Sequence, residues 1–518
     1  MKIVFISIIL AAVAAISPPA AKAAPGDILW EASYSSRPGL DRDQANSVAS
    51  GPGGVAAVAG FASAPAGNFD YLTLLYSPTG DMIWANKYDH SWYDAGKAVA
   101  FDASGNVIVA GSSNNLNNPR NTYSGAYYTD YRIIKYSRDG KLLMEASASG
   151  RLNKNEPSGM AVDKYGNIFV TGFAMNASGT YPLYYTVRFK KNGDIAWENF
   201  EDAGAESQAS ALALDPDGNV LATGWYKDFN SGQFGIRTFL YDPEDGKTGW
   251  QTDFKPQLDS VKAYGIASDD DGNFIITGET SAENGAALTL KYSPDQRVLW
   301  ASKFTGSEYK NKGNAVAVDT EGRIYVAGRT FKDDQGGDWL LLVYDKDGKL
   351  LFSRTYPFGG ESFASGVALE PGGDLLIAGT IQPPGETAQF KVIRVEGLES
   401  LDRPLGEFFD PSAPIRLRTP AISLLRQVEL KARRFEPGDR KSPIRVTATP
   451  VAGLGDYEYR FFISSGDEWK PLSGYSPLNN VVLPAEEGPG AKVMVQVRSV
   501  GSPLPYEAKQ EIDISDVY

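Results

Sequence analysis

Most of the chain repeats one pattern of apolar and polar positions about every 50 residues. In residues 313–352, AVAVD and RIYVAG flank the polar DTEG, and LLLVYD and KLLF flank KDG. Runs rich in β-branched and aromatic residues that are joined by short Asp- and Gly-containing turns predict two β-hairpins. Each repeat is therefore expected to form a four-stranded antiparallel sheet, strands A to D, with short A–B and C–D turns and a longer B–C loop.

A four-stranded sheet of this kind cannot bury both of its faces alone, so successive copies must stack, and radial stacking builds a β-propeller. A glycine follows strand B in each copy, and it counts seven copies: Gly60, Gly111, Gly172, Gly224, Gly278, Gly328 and Gly379. The last copy stops near Val395, before any fourth strand. GDILW, which ends at Trp30, has the glycine-to-tryptophan spacing of TGDMIW and NGDIAW but no strands before it. We therefore expect residues 26–35 to supply strand D of the last sheet and so to hide an exposed sheet edge.

The repeats AGKAVAFDASGNVIVAG, IIKYSRDGKLL and GNAVAVDTEGRIYVAG resemble the SBBP family of bacterial seven-bladed β-propeller repeats and, more distantly, NHL repeats. The resemblance covers roughly residues 26–398. It implies the fold, and it implies no activity, because that family is not tied to one reaction or one ligand. Two departures stand out: DQR replaces DG in the C–D turn of the fifth copy, and the second copy carries a long B–C insertion.

The tail of the chain changes character after Leu398. A proline-bearing connector is followed by strand-like runs such as IRVTATP and VMVQVRS, which resemble a bacterial immunoglobulin-like sandwich with Trp469 in its core. The expected fold class is all-β, a seven-bladed β-propeller closed by the N-terminal strand and followed by an immunoglobulin-like β-sandwich. The expected domains are a signal peptide (1–23), the propeller (24–398), a linker (399–420) and the sandwich (421–518).

The first 23 residues predict export. Lys2 precedes an apolar run from Ile3 to Ile16, and Ala21-Lys22-Ala23 forms an A-x-A cleavage site. A run of about 14 residues is shorter than the roughly 20 that a membrane-spanning helix needs. We expect a mature protein from Ala24 in the periplasm, on the cell surface or in the medium, with no transmembrane segment. The chain has no cysteine and therefore forms no disulfide.

Composition limits the partners and the catalytic mechanisms that the chain can have. Cleavage would remove two lysines and change the formal net charge from -13 to -15, which disfavours nucleic acid as a partner because phosphate binding needs a basic surface. His90 is the only histidine, and no G-x-S-x-G motif accompanies it. A pair of carboxylates acting on a glycan stays open as an enzymatic alternative, a hydrolase or lyase, although no pair stands out among 63 acidic residues.

Ligands are expected on the propeller face that carries the B–C and D–A loops, which we call the long-loop face. Aromatic, amide and charged side chains there suit protein or glycan recognition. For Asp70, Asp130 and Asp338, which enter strand C, the alternative is hydrogen bonding to nearby backbone amides, and for Trp225 it is packing between sheets. The candidate binding residues are Trp92, Tyr93, Asp94, Tyr127, Tyr128, Asp130, Trp225, Glu279, Arg329 and Asp338.

Two turns, DPDGN from Asp215 and DDDGN from Asp269, resemble the opening of a calcium loop. Such a loop needs a glutamate at its twelfth position, which here is Tyr226 or Thr280. Hairpin turns explain both sequences better, so we expect no cofactor, and Ca²⁺ stays a disfavoured possibility. The sequence favours an exported, non-enzymatic binding or scaffold protein whose partner is a protein or polysaccharide of the cell envelope, with the glycan-active enzyme and a calcium-stabilised surface adhesin as alternatives.

Overall fold

A computed structural model of the chain comprises two compact units. The first unit is described from Ala23 to Leu398 except residues 37–41, 64–67, 91–92, 115–127, 151–153, 203–205, 283–284, 307–309, 334–335 and 384. The second is described at residues 427–434, 444–451, 457–464, 469–472, 480–483, 491–499 and 508–513. The predicted signal peptide, apart from Ala23, lies outside the described residues. The linker predicted over 399–420 lies outside them as well.

The described part of the first unit forms seven four-stranded antiparallel sheets, numbered in chain order. Sheet 1 contains β2 (Gln44–Gly51), β3 (Val55–Ser63), β4 (Phe69–Tyr76) and β5 (Met82–Tyr88); sheet 2 contains β6 (Asp94–Phe101), β7 (Val107–Asn114), β8 (Thr129–Tyr136) and β9 (Leu142–Ala148). Sheet 3 contains β10 (Asn155–Val162), β11 (Ile168–Met175), β12 (Pro182–Phe189) and β13 (Ile195–Glu201); sheet 4 contains β14 (Ser207–Leu214), β15 (Val220–Lys227), β16 (Phe234–Tyr241) and β17 (Thr248–Phe254). Sheet 5 contains β18 (Val261–Ser268), β19 (Phe274–Thr280), β20 (Ala286–Tyr292) and β21 (Val298–Phe304); sheet 6 contains β22 (Asn311–Val318), β23 (Ile324–Asp333), β24 (Gly336–Tyr344) and β25 (Leu350–Tyr356). Sheet 7 contains β26 (Phe363–Leu369), β27 (Leu375–Ile381), β28 (Gln389–Val395) and β1 (Ile28–Tyr34).

The N-terminal strand completes the last sheet. β1 pairs antiparallel with β28, so that Trp30 lies opposite Arg394 and Tyr34 opposite Phe390. The expected pairing of the Trp30 segment with residues 390–395 is therefore present. Sheet 7 also shares one buried core with sheet 1, in which Leu376 and Val392 pack with residues of β2, β3 and β4.

Neighbouring sheets are joined by the large residue of strand D. The indole N–H of Trp30 donates to the Pro78 carbonyl at 3.0 Å, and that of Trp84 donates to the Arg138 carbonyl at 2.9 Å, in each case in the C–D turn of the next sheet. The turn glycine below the indole has a positive φ, and a Cβ on Gly80 would lie 2.8 Å from Trp30. The Asp-Gly pattern of the C–D turns thus serves packing between sheets as well as the turn itself.

The DQR turn of the fifth copy keeps this backbone conformation without glycine. Gln296 has a φ of 66°, and it is the one non-glycine residue with positive φ in the described part of the chain. Left-handed backbone costs about 1–2 kcal/mol for a residue that carries a Cβ, so this turn is locally strained.

The second unit is also all-β. Its strands are β29 (Gln427–Arg434), β30 (Ile444–Val451), β31 (Tyr457–Ser464), β32 (Trp469–Pro471), β33 (Asn480–Leu483), β34 (Lys492–Ser499) and β35 (Ala508–Asp513). They form two sheets, ordered β29-β30-β33 and β32-β31-β34-β35, around a shared core that includes Val446, Phe461 and Val495. Trp469 does not belong to the described core: it is half-buried on the three-residue strand β32, which pairs only with β31 among the described strands. The expectation of a tryptophan plug is therefore wrong.

Among the described residues, no helix has the length and apolarity needed to cross a membrane.

Candidate functional site

The innermost strands of the seven sheets surround a cavity of about 180 Å³ along the centre of the first unit. Six of these strands carry a register shift of one residue, which leaves Lys97, Ser158, Ser210, Tyr264, Asn314 and Ser365 unpaired in the ladder. All six, together with Asn46 of β2, line the central cavity. A β-bulge re-aims a side chain in this way, and here it turns polar groups toward the axis.

Three of these polar side chains connect neighbouring innermost strands. The Asn46 amide donates to the Gly96 carbonyl at 2.7 Å, and the Asn314 amide donates to the Ala364 carbonyl at 2.8 Å. The Ser158 hydroxyl donates to the Ala209 carbonyl at 2.7 Å. These residues are structural. Lys97 and Tyr264 occupy the same bulge position in their strands. Their side chains are larger than the serine and asparagine side chains at this position in the other strands, and they can take part in recognition as well as in packing.

Three residues that the sequence pattern predicted, Trp225, Glu279 and Arg329, follow the strand B glycine in sheets 4, 5 and 6. Their partners on the innermost strands are Gln208, Lys262 and Lys312. We call Trp225, Lys262, Tyr264, Glu279, Lys312 and Arg329 the mouth cluster. All six are half-buried and lie at the ends of strands that join the long loops.

Aromatic rings position the amines of the mouth cluster. The Lys262 ammonium nitrogen lies 3.9 Å from the ring centroid of Phe234 and 4.4 Å from that of Trp225. The Lys312 ammonium nitrogen lies 3.6 Å from the ring centroid of Tyr264. Lys262 and Lys312 therefore each sit over aromatic rings from the preceding sheet, an attraction of about 0.5–2 kcal/mol per contact.

The acidic groups of the mouth cluster and its surroundings are already engaged. Glu279 accepts a hydrogen bond from the Tyr264 hydroxyl at 2.7 Å, and Glu361 pairs with Arg329 at 2.6 Å. Burial lowers the pKa of Lys312, and the nearby charges of Lys262 and Arg329 act in the same direction, while Glu279 opposes them. Burial also lowers the pKa of Lys97, with Glu156 opposing and Lys154 adding to the shift. The ammonium groups of Lys312 and Lys97 thus lie in places where burial disfavours their positive charge.

A second concavity, of about 540 Å³, opens on the same face between sheets 7 and 1. We call it the seam cleft; its lining includes Gln44, Phe61, Phe69, Glu361, Phe363 and Thr380. The Thr380 side chain is almost fully buried, and its hydroxyl has no hydrogen-bond partner among the described residues. Glu361 lines this cleft and pairs with Arg329, so the seam cleft adjoins the mouth cluster.

The predicted aspartates have different surroundings. Asp94 is fully buried and accepts hydrogen bonds from the His90 backbone N–H at 2.8 Å and from the Ser113 hydroxyl. Asp130 is buried and accepts from the Ser149 hydroxyl at 2.8 Å. Asp338 is buried too. These three carboxylates lie in the interior rather than on an open binding surface.

The two predicted tyrosines that the structure describes, Tyr93 and Tyr128, are both half-buried. The Tyr93 ring meets Phe69, a residue of the seam cleft, edge-on at 5.9 Å, and burial raises the pKa of its hydroxyl to about 12. Tyr128 lies directly before β8. Trp92 and Tyr127 lie outside the described residues.

Sequence reasoning missed Lys97, Lys262, Tyr264 and Lys312. Each stands two or four positions before the central β-branched residue of its strand A (Val99, Ile266 or Val316), where most other copies have small or neutral residues. Superimposing the copies on their strand A would have exposed them as departures. The glycine after strand B marks residues on strand B, whereas these four residues lie on strand A.

The two calcium-like sequences form hairpin turns. The Asp215 carboxylate accepts from the Asn219 backbone N–H at 2.8 Å, and that of Asp269 accepts from the Asn273 backbone N–H at 2.9 Å. Asp269 also pairs with the buried Lys291 ammonium at 2.9 Å. No group of three or more His, Cys, Asp or Glu side chains suited to a metal ion occurs in the part of the chain that the structure describes.

Comparison with known proteins supports the fold. Residues 299–330 match the family model described as SBBP, beta-propeller repeat. An uncharacterised WD repeat-containing protein of Acanthamoeba polyphaga mimivirus is 26% identical over 40% of this chain, and the match spans only 19% of the viral protein.

Several solved structures resemble this chain at low sequence identity. The propeller domain of the trilobed protease of Pyrococcus furiosus has a TM-score of 0.42 and 9% identity, covering 69% of this chain and 96% of that domain. An ulvan lyase has a TM-score of 0.44 and 10% identity, covering 68% and 95%, and a protein of unknown function from Dyadobacter fermentans has 0.43 and 9%, covering 71% and 99%. At this level of similarity the comparison concerns fold alone. The matched repeat and the described four-stranded sheets of this chain together support a β-propeller built from repeats.

Proposed function

We propose that the protein is an exported, non-enzymatic binding or scaffold protein whose seven-bladed propeller recognises a protein or glycan of the cell envelope through its long-loop face. In this proposal the signal peptide directs export, and the second unit is an immunoglobulin-like spacer or second contact. Of the two ligand classes, protein and glycan, the geometry of the seam cleft favours a glycan.

The seam cleft is the observation that carries this proposal. Phe61, Phe69 and Phe363 supply apolar surface for the C–H faces of a sugar ring, and Gln44 supplies amide groups for its hydroxyls. The buried Thr380 hydroxyl lacks a partner within the described part of the protein. A buried hydroxyl without a hydrogen bond is costly unless a ligand or water completes it.

Thr380→Val tests the role of the cleft, because it removes the hydroxyl and keeps the shape. On a glycan array and in titrations with the best glycan, we expect affinity to fall about three- to tenfold with the loss of one hydrogen bond. Stability should be unchanged or higher, since the hydroxyl has no partner to lose. Thr73→Val is the matched control: Thr73 is buried, its hydroxyl is also unpartnered among the described residues, and it lies outside the cleft.

Other outcomes are distinguishable. Retention of an envelope protein in a pull-down, weakened by Thr380→Val with no glycan bound, would assign the face to protein recognition. Binding that both threonine variants leave unaltered would overturn the assignment to the cleft.

One observation favours the enzymatic alternative, a carboxylate-dependent glycan hydrolase or lyase. Asp70 is buried, its Oδ1 has no partner among the described residues, and burial raises its pKa, with the carboxylates of Asp89 and Asp94 adding and Lys87 opposing. A carboxyl group whose pKa is raised, beside other carboxylates, has the environment in which a general acid is found. Release of new reducing ends from an envelope polysaccharide, lost in Asp70→Asn, would support this alternative over the binding role.

A further inference from the structure

We propose that the mouth cluster recognises the anionic group, carboxylate or sulfate, of an acidic polysaccharide. This rests on the proposed function, because it assigns a ligand class to the same long-loop face. The neighbouring seam cleft would hold a sugar ring while the mouth cluster holds the acid group.

The two lysines of the mouth cluster lack acidic partners among the described residues. In a chain of formal net charge -13, carboxylates are abundant. Yet no described carboxylate lies within 4.0 Å of the Lys262 or Lys312 ammonium group, whereas Lys291 and Lys391 each have one at 2.9 Å. Glu279, the acid nearest in register, is bonded to Tyr264. The two ammonium groups therefore keep their donors available for a ligand.

Aromatic rings preorganise the cations of the mouth cluster. Lys262 is held over Trp225 and Phe234, and Lys312 is held over Tyr264. Rings that fix an amine reduce the conformational entropy that binding would otherwise remove. Arg329 stacks on Phe331 at 4.1 Å and pairs with Glu361 at 2.6 Å, so a third cation is fixed beside the two lysines.

The crowding of positive charge also favours an anion. Two half-buried lysines and an arginine repel one another in a desolvated place, and an incoming anion relieves that repulsion. The lowered pKa of Lys312 is consistent with such crowding. Purely structural lysines would be expected to have acidic partners, as others in this propeller do.

The test uses the mature full-length protein with four probes: alginate for carboxylate, dextran sulfate for sulfate, dextran as the neutral polymer and a single-stranded oligonucleotide as a non-saccharide polyanion. Affinity is measured by titration at about 50 and about 200 mM NaCl, a range over which charge attraction is increasingly screened. The variant Lys262→Met/Lys312→Met removes both charges and keeps the stems. Lys190→Met/Lys191→Met, in the C–D turn of sheet 3 on the opposite face, is the control for net charge.

We expect the wild type to bind alginate or dextran sulfate at least about tenfold more tightly than dextran and the oligonucleotide, with weaker binding at the higher salt concentration. The mouth variant should lose about tenfold or more for the acidic polymer, and the control variant should stay within about twofold. Lys262→Arg/Lys312→Arg, which keeps the charges, should retain most of the binding, and an unchanged melting temperature of the methionine variant separates loss of charge from misfolding.

Four results would overturn the inference. Equal affinity of the mouth variant and the wild type for the acidic polymer would show that the mouth cluster does not bind the polymer. Equally tight binding of the oligonucleotide would reduce the effect to general charge attraction. Binding of neutral glycans alone would leave the proposed function standing and remove this inference, whereas absence of any glycan binding would remove both.

Discussion

Trp30 lies opposite Arg394 in an antiparallel pair, although the two residues are at opposite ends of the propeller sequence. The indole of Trp30 continues into sheet 1, where it donates to the Pro78 carbonyl, and the Arg394 guanidinium donates to the same carbonyl, each at 3.0 Å. One carbonyl thus joins the first strand, the last strand and the next sheet. The stability of the propeller should depend on this junction.

A disulfide across this junction should stabilise the propeller. Ala32 pairs with Val392, and the natural chain has no cysteine, so Ala32→Cys/Val392→Cys has one possible disulfide. Closing so long a loop is expected to contribute about 2–4 kcal/mol, seen as a higher midpoint of unfolding under oxidising than reducing conditions. In Ala32→Cys/Lys391→Cys the side chains point to opposite faces, so no such gain should occur. Equal behaviour of the two pairs would contradict the register.

The strained turn of the fifth copy should improve with glycine. Gln296 has a φ of 66°, so Gln296→Gly is expected to raise the free energy of unfolding by about 0.5–1 kcal/mol. The reverse change at the equivalent turn, Gly348→Gln, should destabilise, because its φ is 87° and a Cβ would lie 2.6 Å from Trp300. Urea unfolding of both variants measures this, and a loss of stability in Gln296→Gly would show that the glutamine side chain contributes more than the strain costs.

The ion pair between Lys135 and Asp102 should make stability fall in acid. Burial acts to raise the pKa of Asp102, but hydrogen bonds from Lys135 and Asn106 outweigh it, and the pKa is lowered from 3.8. The stabilisation is therefore present above pH 3.8 and is lost as the pH falls through the folded-state value. Asp102→Asn should cost about 2–3 kcal/mol at neutral pH, since it leaves Lys135 unpaired, and clearly less in acid, below the folded-state pKa.

The control for that variant is Asp217→Asn, at an exposed turn position. It should change the free energy of unfolding by less than about 0.5 kcal/mol at either pH. A pH-independent effect of Asp102→Asn, measured by urea unfolding, would count against the ion pair as the cause.

Calcium should leave the melting temperature unchanged within about 1 °C, because a ligand raises stability only when it binds the folded state. The carboxylates of Asp215 and Asp269 are occupied by turn amides, and Lys291 already neutralises Asp269. Thermal melts with millimolar Ca²⁺ and with chelator test this. A rise with calcium that chelator reverses would support the adhesin alternative.

Part of the candidate site could be read from sequence and part could not. Trp225, Glu279 and Arg329 were found because each follows the strand B glycine of its copy, a position that the repeat itself marks. Asp94, Asp130 and Asp338 occupy equally visible positions, yet they are buried and their environment assigns them to the interior. Whether a strand-entry carboxylate faces a ligand or a neighbouring hydroxyl depends on packing between sheets, which no local pattern encodes.

The sequence by itself determined the strands, the turns and the need to pair the first strand with the last copy, because alternation of apolar residues and Asp-Gly turns are local properties with local physical causes. Tertiary structure alone decided that Lys262 and Lys312 meet aromatic rings of the preceding sheet, since the approach of neighbouring sheets sets these contacts and a one-residue bulge presents Tyr264 to Lys312. It also decided that Trp469 lies at the edge of its described sheet, because the position of β32 in that sheet is a consequence of how the strands pair.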